Sequence, residues 1–345
     1  MSKKVFSAKD VAEVVKELCA DGAITHVYTV ACGGSKAGLF PMYYILRSES
    51  KTIHAENITA NEFALATPKH VGKNALVVTM SSAGATPETV EAARVAKAAG
   101  AKVVTISGKP ECTLADNGDY HFVTGHNGAT EGGTGIVISM AFELLKVCEN
   151  YAKYDAAVAA LSKVDAIAKK AFEDAAEKAQ AWGEKHKNDF FCISMASAGN
   201  LDVAYSTSIC HLMEMEWINS ETIHTGEYFH GPFEITEDHT PMIIVKSTGR
   251  TKALDDRAIA FATKFSDNVE VIDLADYGCE ELGEVKEFVE PLVASLVSRQ
   301  YTTTLAKCKK HPFLWRKYMF KDCENYGYKT TLKENAVHVI REEIK

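Results

Sequence analysis

Two carboxylates in the second half of the chain have the residue type needed for proton transfer. Glu214 and Glu216 lie in the apolar stretch Leu-Met-Glu-Met-Glu-Trp. On an α-helix Glu214 would neighbour mostly apolar or aromatic side chains, and Glu216 would neighbour a more mixed set. A carboxylate on the drier side would have a raised pKa and could act as a base near neutral pH. The alternative is that both glutamates face water on an amphipathic helix.

The segment His224–Glu234 is dense in glycine, proline, aromatic and polar residues, an unusual composition for a simple connection. Gly231-Pro232 follows His230 and would hold its imidazole at a loop or helix start. Histidine exchanges protons readily near neutral pH, so His230 could donate or accept one. Glu227 could orient this histidine, act as a second carboxylate, or be a surface charge. A purely structural histidine is the alternative.

Two turns rich in small residues follow predicted buried strands in the first half. Cys32-Gly33-Gly34-Ser35 follows His26–Ala31, and Ser81–Thr86 follows Ala75–Met80. A helix that begins after such a turn offers free N–H groups and partial positive charge, which suit a phosphate group. The alternative is that these residues only make tight turns. The residues predicted to contact a phosphate are Gly33, Gly34, Ser35, Ser81, Ser82 and Thr86.

Nucleotide and metal signatures are missing from the sequence. Gly33–Gly38 reads Gly-Gly-x-x-x-Gly, which departs from the dinucleotide fingerprint, and no triphosphate-binding Gly-x-x-x-x-Gly-Lys-Ser/Thr occurs. The nine cysteines show no CxxC spacing, which removes the usual cysteine half of a structural zinc site. We therefore expect no metal and no organic cofactor.

The turns belong to an α/β pattern that repeats along the chain. In each half a buried strand runs into a small-residue turn and then a helix, as at Pro241–Lys246 with its turn Ser247–Thr251. This predicts an α/β fold of two tandem three-layer domains with parallel sheets, plus a tail. The predicted parts are an N-terminal helix (1–20), a first domain (21–150), a bridging helix (151–185), a second domain (186–298) and a helical or irregular C-terminal tail (299–345).

Composition and charge narrow the class of protein. The formal net charge is −8 and no long Lys/Arg run occurs, which disfavours nucleic-acid binding. The N-terminus lacks the apolar core of a signal peptide, and no apolar run approaches the ~20 residues needed to cross a bilayer. An odd, scattered set of cysteines is typical of reduced thiols. We expect a cytoplasmic protein that binds neither nucleic acid nor membrane.

Several segments resemble a known family. The segment from Gly226 to Glu234 resembles the Gly-Glu-x-x-His-Gly-Pro segment of the sugar isomerase (SIS) domain superfamily, and the two small-residue turns resemble its phosphate loops. Leu212–Ile218, continuing to His230–Ile235, resembles the bacterial 6-phosphofructose–amino acid deglycases, which act on phosphorylated Amadori compounds. The tail segment His311–Met319 is also similar to theirs.

The resemblance implies a function and a site. It covers roughly residues 20–320 and implies two SIS-type domains, with Glu214 and His230 as the catalytic pair. The implied reaction is hydrolysis of a phosphorylated Amadori compound to glucose 6-phosphate and a free amino acid. It implies a homodimer with active sites at the subunit contacts. Ala83 stands where the superfamily's glucosamine-6-phosphate synthase has serine, so one hydroxyl contact of that loop is lost.

Other functions stay open at this point. An aldose–ketose isomerase of hexose phosphates or an amino-sugar-phosphate deaminase would need the same proton transfer. A non-catalytic sugar-phosphate sensor would need neither Glu214 nor His230. Arg316 and Lys317 could hold the α-carboxylate of the substrate's amino-acid half, or belong to a surface-anchoring tail. The sequence leaves the released amino acid open, with a similarity closer to fructose-aspartate than to fructoselysine enzymes.

Overall fold

The computed structural model describes residues 5–316, 319, 328–330 and 339–341. These residues form two compact units. The first unit contains the described residues up to Tyr154, together with Arg316 and those after it, and the second unit is Asp155–Trp315. No helix in the described part of the chain is long and apolar enough to span a membrane.

The first unit contains a six-stranded parallel sheet. Its strands are β1 (Val5–Phe6), β2 (His26–Ala31), β3 (His54–Thr59), β4 (Ala75–Met80), β5 (Lys102–Ser107) and β6 (Tyr120–Val123). Their order across the sheet is β1-β6-β5-β4-β2-β3. His26 of β2 is in register with His54 of β3 and with Ala75 of β4. This places β2 and β4 side by side near one end of the sheet.

Helices cover both faces of this sheet. They are α1 (Val11–Cys19), α2 (Gly33–Glu49), α3 (Ala60–Leu65), α4 (Pro87–Ala98), α5 (Thr113–Asp116) and α6 (Gly133–Glu149), with short 3-10 turns at Ala8–Asp10 and Ala129–Glu131. Tyr28 and Val30 of β2 pack with Phe63 of α3 and the alanines of α4. Because strand side chains alternate, Val27 points to the other face, where α1, α2 and α6 pack together.

The second unit repeats this plan with four parallel strands. They are β7 (Phe191–Ala196), β8 (Asn219–His224), β9 (Met242–Lys246) and β10 (Val269–Asp273), in the order β10-β9-β7-β8. The order β5-β4-β2-β3 of the first sheet has the same connectivity. The predicted fold of two tandem α/β domains with parallel sheets is therefore confirmed, and the repeat seen in the sequence is a repeat of topology.

Helices also cover both faces of the second sheet. They are α7 (Tyr154–Asp174), α8 (Ala176–His186), α9 (Leu201–Tyr205), a π-helix (Ser206–Met215), α10 (Lys252–Phe265), α11 (Lys286–Val289) and α12 (Pro291–Lys309), with 3-10 turns at Ala198–Asn200, Pro232–Ile235 and Cys279–Val285. Ala258 and Ala262 of α10 pack on Ile193 and Met195 of β7. The helices α8, α12 and the π-helix pack together as a separate group.

The sequence pattern misses four strands of the two sheets, namely β1, β3, β6 and β8. β3 (His-Ala-Glu-Asn-Ile-Thr) and β8 (Asn-Ser-Glu-Thr-Ile-His) are edge strands, so they carry polar residues and lack a continuous apolar run. β1 has only two residues, and it joins the sheet through β6, so the segment 1–20 contains more than the predicted helix.

The end of the chain also departs from the expected boundaries. α12 runs through residue 298, where the sequence places the start of the tail, because Val297, Tyr301 and Leu305 continue its buried face. Further on, β11 (Tyr328–Thr330) and β12 (Val339–Arg341) pair antiparallel.

Gly84 allows the turn after β4 to pack closely on the segment that follows β5. Its φ is +69°, and a Cβ there would lie 2.3 Å from the Sγ of Cys112. We predict that Gly84→Ala lowers the melting temperature by several degrees, because a left-handed conformation alone costs alanine roughly 1–2 kcal/mol and the clash adds to it. Gly72→Ala is the matched control, since its nearest neighbour would be 3.8 Å away. Equal melting temperatures for both variants in calorimetry would contradict this reading.

Candidate active site

The two small-residue turns of the first unit flank the point where its connections change direction. From β2 the chain continues to β3 on one side, and from β4 it continues to β5 on the other side. The turns after β2 and β4 therefore open on a crevice beyond the carboxyl ends of these adjacent strands. Open parallel sheets bind their ligands at such a point.

The turn after β2 presents backbone donors to this crevice. The first bond within α2 runs from the N–H of Lys36 to the carbonyl of Cys32, at 3.2 Å. The N–H groups of Gly33, Gly34 and Ser35 precede that bond, at the positive end of a 17-residue helix. Gly33 has a φ of +53°, which a residue without Cβ adopts at little cost. Gly34 is exposed and Ser35 is partly exposed.

In the turn after β4, one hydroxyl group is buried and two are at least partly exposed. Ser81 is only 2% exposed, and its Oγ lies 2.9 Å from the Oγ1 of Thr86. Thr86 occupies the N-cap position before Pro87, but its hydroxyl bonds to Ser81 instead of to the helix. Ser82 is exposed at the tip of the turn. Ser81 therefore braces Thr86, while Ser82 and the partly exposed Thr86 are available to a ligand.

Lys36 is a residue at this crevice that the sequence reasoning missed. It lies in the first turn of α2, directly after the predicted phosphate contacts. Burial lowers its pKa, while the nearby Cys32 and Glu62 act in the opposite direction. An ammonium group beside a phosphate loop would add positive charge there. Its position next to Ser35 in the sequence was the available signal.

Glu214 lies in a π-helix, and this changes its neighbours. The N–H of Glu216 bonds to the carbonyl of His211 at 3.0 Å, five residues back instead of four. The wider turn rotates the side chains away from α-helical spacing. Glu216 is consequently the buried carboxylate, at 2% exposure, and Glu214 is partly exposed. The α-helical spacing that puts Glu214 on the drier side is therefore wrong here.

Aromatic contacts hold the turn that follows the π-helix. Trp217 has a φ of +58°, a conformation that is costly for a bulky residue and is found at functional sites. Its ring centroid lies 4.4 Å from that of His311 and 5.4 Å from that of Trp315. His311 Nδ1 also lies 3.7 Å from a carboxylate oxygen of Glu216. The segment after α12 thus fixes the backbone just beyond Glu214.

His230 is presented at the tip of a tight turn after β8. Its N–H bonds to the carbonyl of Glu227 at 2.9 Å. Gly231 follows with a φ of +133°, which requires glycine, and Pro232 begins a 3-10 turn as the sequence indicates. His230 and Glu227 are both exposed. The backbone of this turn is hydrogen-bonded, while the His230 side chain is exposed to solvent.

An aromatic cluster anchors the His230 turn. The rings of Tyr228, Phe229 and Phe233 all contact Phe261 of α10, with centroids 5.5–5.9 Å apart. The guanidinium of Arg257 lies 3.9 Å from the centre of the Phe229 ring. Such contacts add to the burial of apolar area, so the side chains that flank His230 fix its position.

Strand β8 lies between Glu214 and His230 in the chain. Because β7 and β8 are parallel, the helical connection between them returns to the amino edge of the sheet, and Glu214 lies in its last turn. His230 follows the carboxyl end of β8. The six residues of β8 rise about 3.3 Å each, so the two ends of the strand are about 17 Å apart.

The residues proposed for the amino-acid half of a ligand are only partly described. Arg316 is buried, with 7% of its surface exposed. Lys317 lies outside the described residues.

Comparison with known proteins identifies the family. The SIS domain model matches residues 24–145. Fructosamine deglycase FrlB of Bacillus subtilis (strain 168) is 39% identical over 302 residues, which cover 86% of this chain and 92% of FrlB. Fructoselysine 6-phosphate deglycase of Escherichia coli (strain K12) is 24% identical, over 73% of this chain and 74% of that enzyme.

Solved structures of similar proteins agree with the sequence comparison. A protein of Salmonella typhimurium LT2, described as a candidate phosphosugar isomerase, superposes with a TM-score of 0.89 at 36% identity, over 91% of this chain and 96% of that one. The C-terminal domain of glucosamine-fructose-6-phosphate aminotransferase from Francisella tularensis shares the fold at a TM-score of 0.71 and 18% identity, over 89% of this chain and 94% of that one. The chain belongs to the SIS-domain family and is similar to its fructosamine deglycases.

Proposed function

We propose that this protein is a cytoplasmic deglycase that hydrolyses 6-phosphofructosyl amino acids to glucose 6-phosphate and a free amino acid. The observation that carries the proposal is the 39% identity to a fructosamine deglycase over 92% of that enzyme's length. The crevice between β2 and β4, with its backbone donors and hydroxyls, supports a phosphorylated substrate. The reaction needs no metal and no organic cofactor.

The proposed chemistry moves one proton between neighbouring carbons. His230 protonates the ring oxygen and opens the sugar. Glu214 then takes a proton from C1 and returns one to C2 through an enolamine, which leaves an imine at C1. Water adds to this imine and releases the amino acid. A carboxylate base for a C–H proton and an imidazole for an oxygen suit these two tasks.

We propose a homodimer whose active sites combine groups from two subunits. The positions of Glu214 and His230 at opposite ends of β8 support this, because about 17 Å of strand separates the two ends within one chain. A second copy can supply the missing partner to each site. In a symmetric dimer both sites are then completed in the same way.

The amino-acid half of the substrate is assigned to the segment after α12. Arg316 and Lys317 are proposed to recognise the α-carboxylate that all such substrates share, since a guanidinium holds a carboxylate bidentately. Glu227, exposed three residues before His230, is a further proposed substrate contact.

A substrate panel tests the reaction. We expect glucose 6-phosphate to be released from phosphorylated Amadori compounds of several amino acids in a coupled dehydrogenase assay. The matching unphosphorylated compounds are the control, and they should react far more slowly because the phosphate contacts are missing. Interconversion of hexose phosphates without any release of amino acid would assign an isomerase instead. Binding without turnover would assign a sensor.

Single variants and their mixture test the shared site. We predict that Glu214→Gln and His230→Asn each fold normally, and that Glu214→Gln loses at least ~10³-fold in kcat because the base is gone. Glu221→Gln, an exposed carboxylate on β8, is the control and should keep full activity. After the two inactive variants are dissociated and reassociated together, activity should return to about a quarter of wild type, because half of the dimers are mixed and each has one intact site of two.

No recovery in proven mixed dimers would show that each site uses both groups from one chain. Near-normal turnover of Glu214→Gln alone would move the base to another carboxylate, with Glu227 the next candidate.

A hydroxyl deletion tests the phosphate crevice. Ser35→Ala should raise KM about 10- to 100-fold with little change in kcat, because a hydrogen bond to a charged group contributes about 1.5–3 kcal/mol. Ser48→Ala, at the other end of α2, is the matched control. Inorganic phosphate should compete with substrate in wild type and compete less well in Ser35→Ala. Failure of phosphate to compete in wild type would place the phosphate elsewhere.

A further inference from the structure

A buried carboxylate lies at the carboxyl edge of the second sheet. Glu290 is 0% exposed and directly precedes α12. One of its oxygens accepts hydrogen bonds from Asn200 Nδ2 at 2.7 Å and from Ser247 Oγ at 2.5 Å. The other accepts from the N–H of Thr248 at 3.0 Å and from its Oγ1 at 2.5 Å. Four donors thus converge on one carboxylate.

These donors come from the two turns that correspond to the phosphate turns of the first unit. Asn200 belongs to the turn after β7, and Ser247 and Thr248 begin the turn after β9. β7 and β9 are adjacent, and the chain leaves them in opposite directions, to β8 and to β10. Glu290 therefore sits between the two turns at the switch point of the second sheet, where an open α/β sheet would bind a ligand.

The equivalent turns of the first unit are open. Gly34 and Ser82 are exposed there, whereas Asn200 and Ser247 are 0% exposed. Burial raises the pKa of Glu290, and the hydrogen bonds from its donors act against that rise by stabilising the ionised form. A carboxylate and a phosphate share the property that matters to these donors, since both are oxyanions that accept several hydrogen bonds.

We propose that the second unit contains an oxyanion-binding site that the chain fills with its own Glu290 carboxylate. The chain therefore offers a sugar phosphate one switch point, not two. Two further carboxylates accept hydrogen bonds from the turn after β9. Asp255 accepts from Thr225 Oγ1 at 2.7 Å and from the N–H of Ser247 at 3.0 Å. Glu287 binds the N–H and the guanidinium of Arg250, which follows in the same turn.

The filled site also supports the catalytic turn. Asp255 links the turn after β9 to Thr225, the residue from which the His230 turn departs. Ser197 Oγ lies 2.8 Å from Thr251 Oγ1, which ties the turn after β7 into the same network. The loops that would have surrounded a second phosphate are therefore held rigid at the edge that presents His230.

Emptying the site and refilling it with a small oxyanion tests the proposal. Glu290→Ala should lower the melting temperature by roughly 6–20 °C, because one partner of a buried, charged network is lost. Acetate should then restore at least half of that loss with saturable dependence on concentration. Chloride at matched ionic strength should not. Wild type and Glu284→Ala, an exposed glutamate six residues earlier, should respond to acetate no more than to chloride.

A second variant covers the case in which Glu290→Ala does not fold. Glu290→Gln keeps the volume of the side chain but turns an amide N–H toward the donors, so its melting temperature should fall clearly below that of Glu284→Gln. Wild-type stability in Glu290→Gln, or equal effects of acetate and chloride on folded Glu290→Ala, would overturn the proposal. Neither readout depends on catalysis, so a failure here is distinct from a failure of the proposed reaction.

Discussion

Parallel strand pairing is the constraint on which the other features depend. Parallel strands cannot be joined by a tight turn, so each connection must return the chain to the starting edge of the sheet, usually through a helix. This gathers every strand-to-helix turn at the carboxyl edge, and with them the donors after β2 and β4. It also sends the end of each returning helix to the amino edge. Glu214, in the last turn of such a helix, and His230, after the next strand, are separated for this reason.

The two units share one topology but differ in whether the donors of their turns are already bonded. In both, small residues and hydroxyls follow two adjacent strands. In the first unit Ser81 and Thr86 share a hydrogen bond and leave the backbone donors of α2 open. In the second unit the comparable donors bond to Glu290. A buried carboxylate is costly unless several donors solvate it, so the two turns and Glu290 stabilise each other.

The sequence predicts those parts of the molecule that depend on local pattern. The buried strands β2, β4, β7 and β9 are rich in apolar residues, and the turns after them follow directly. Edge strands such as β8 are not predicted, because their polar side chains resemble those of loops. The burial of Glu216 and not Glu214 could not be foreseen, since it depends on a π-helix whose spacing no α-helical pattern reveals. The burial of Glu290 could not be predicted from the sequence either, because the residues that donate hydrogen bonds to it lie 42 to 90 residues away.

The direction in which the Glu214 side chain points depends on the number of residues in the π-helix. Each residue of an α-helix turns the chain by about 100°, and a π-helix accommodates extra residues by widening its turns. Because α9 before it and β8 after it are both packed in the sheet layers, the segment 206–215 cannot shift to absorb a change in length. Loss of a single residue there would relax the helix toward α and swing the carboxylate to another side of it. The register of one helix thus decides where the Glu214 carboxylate points.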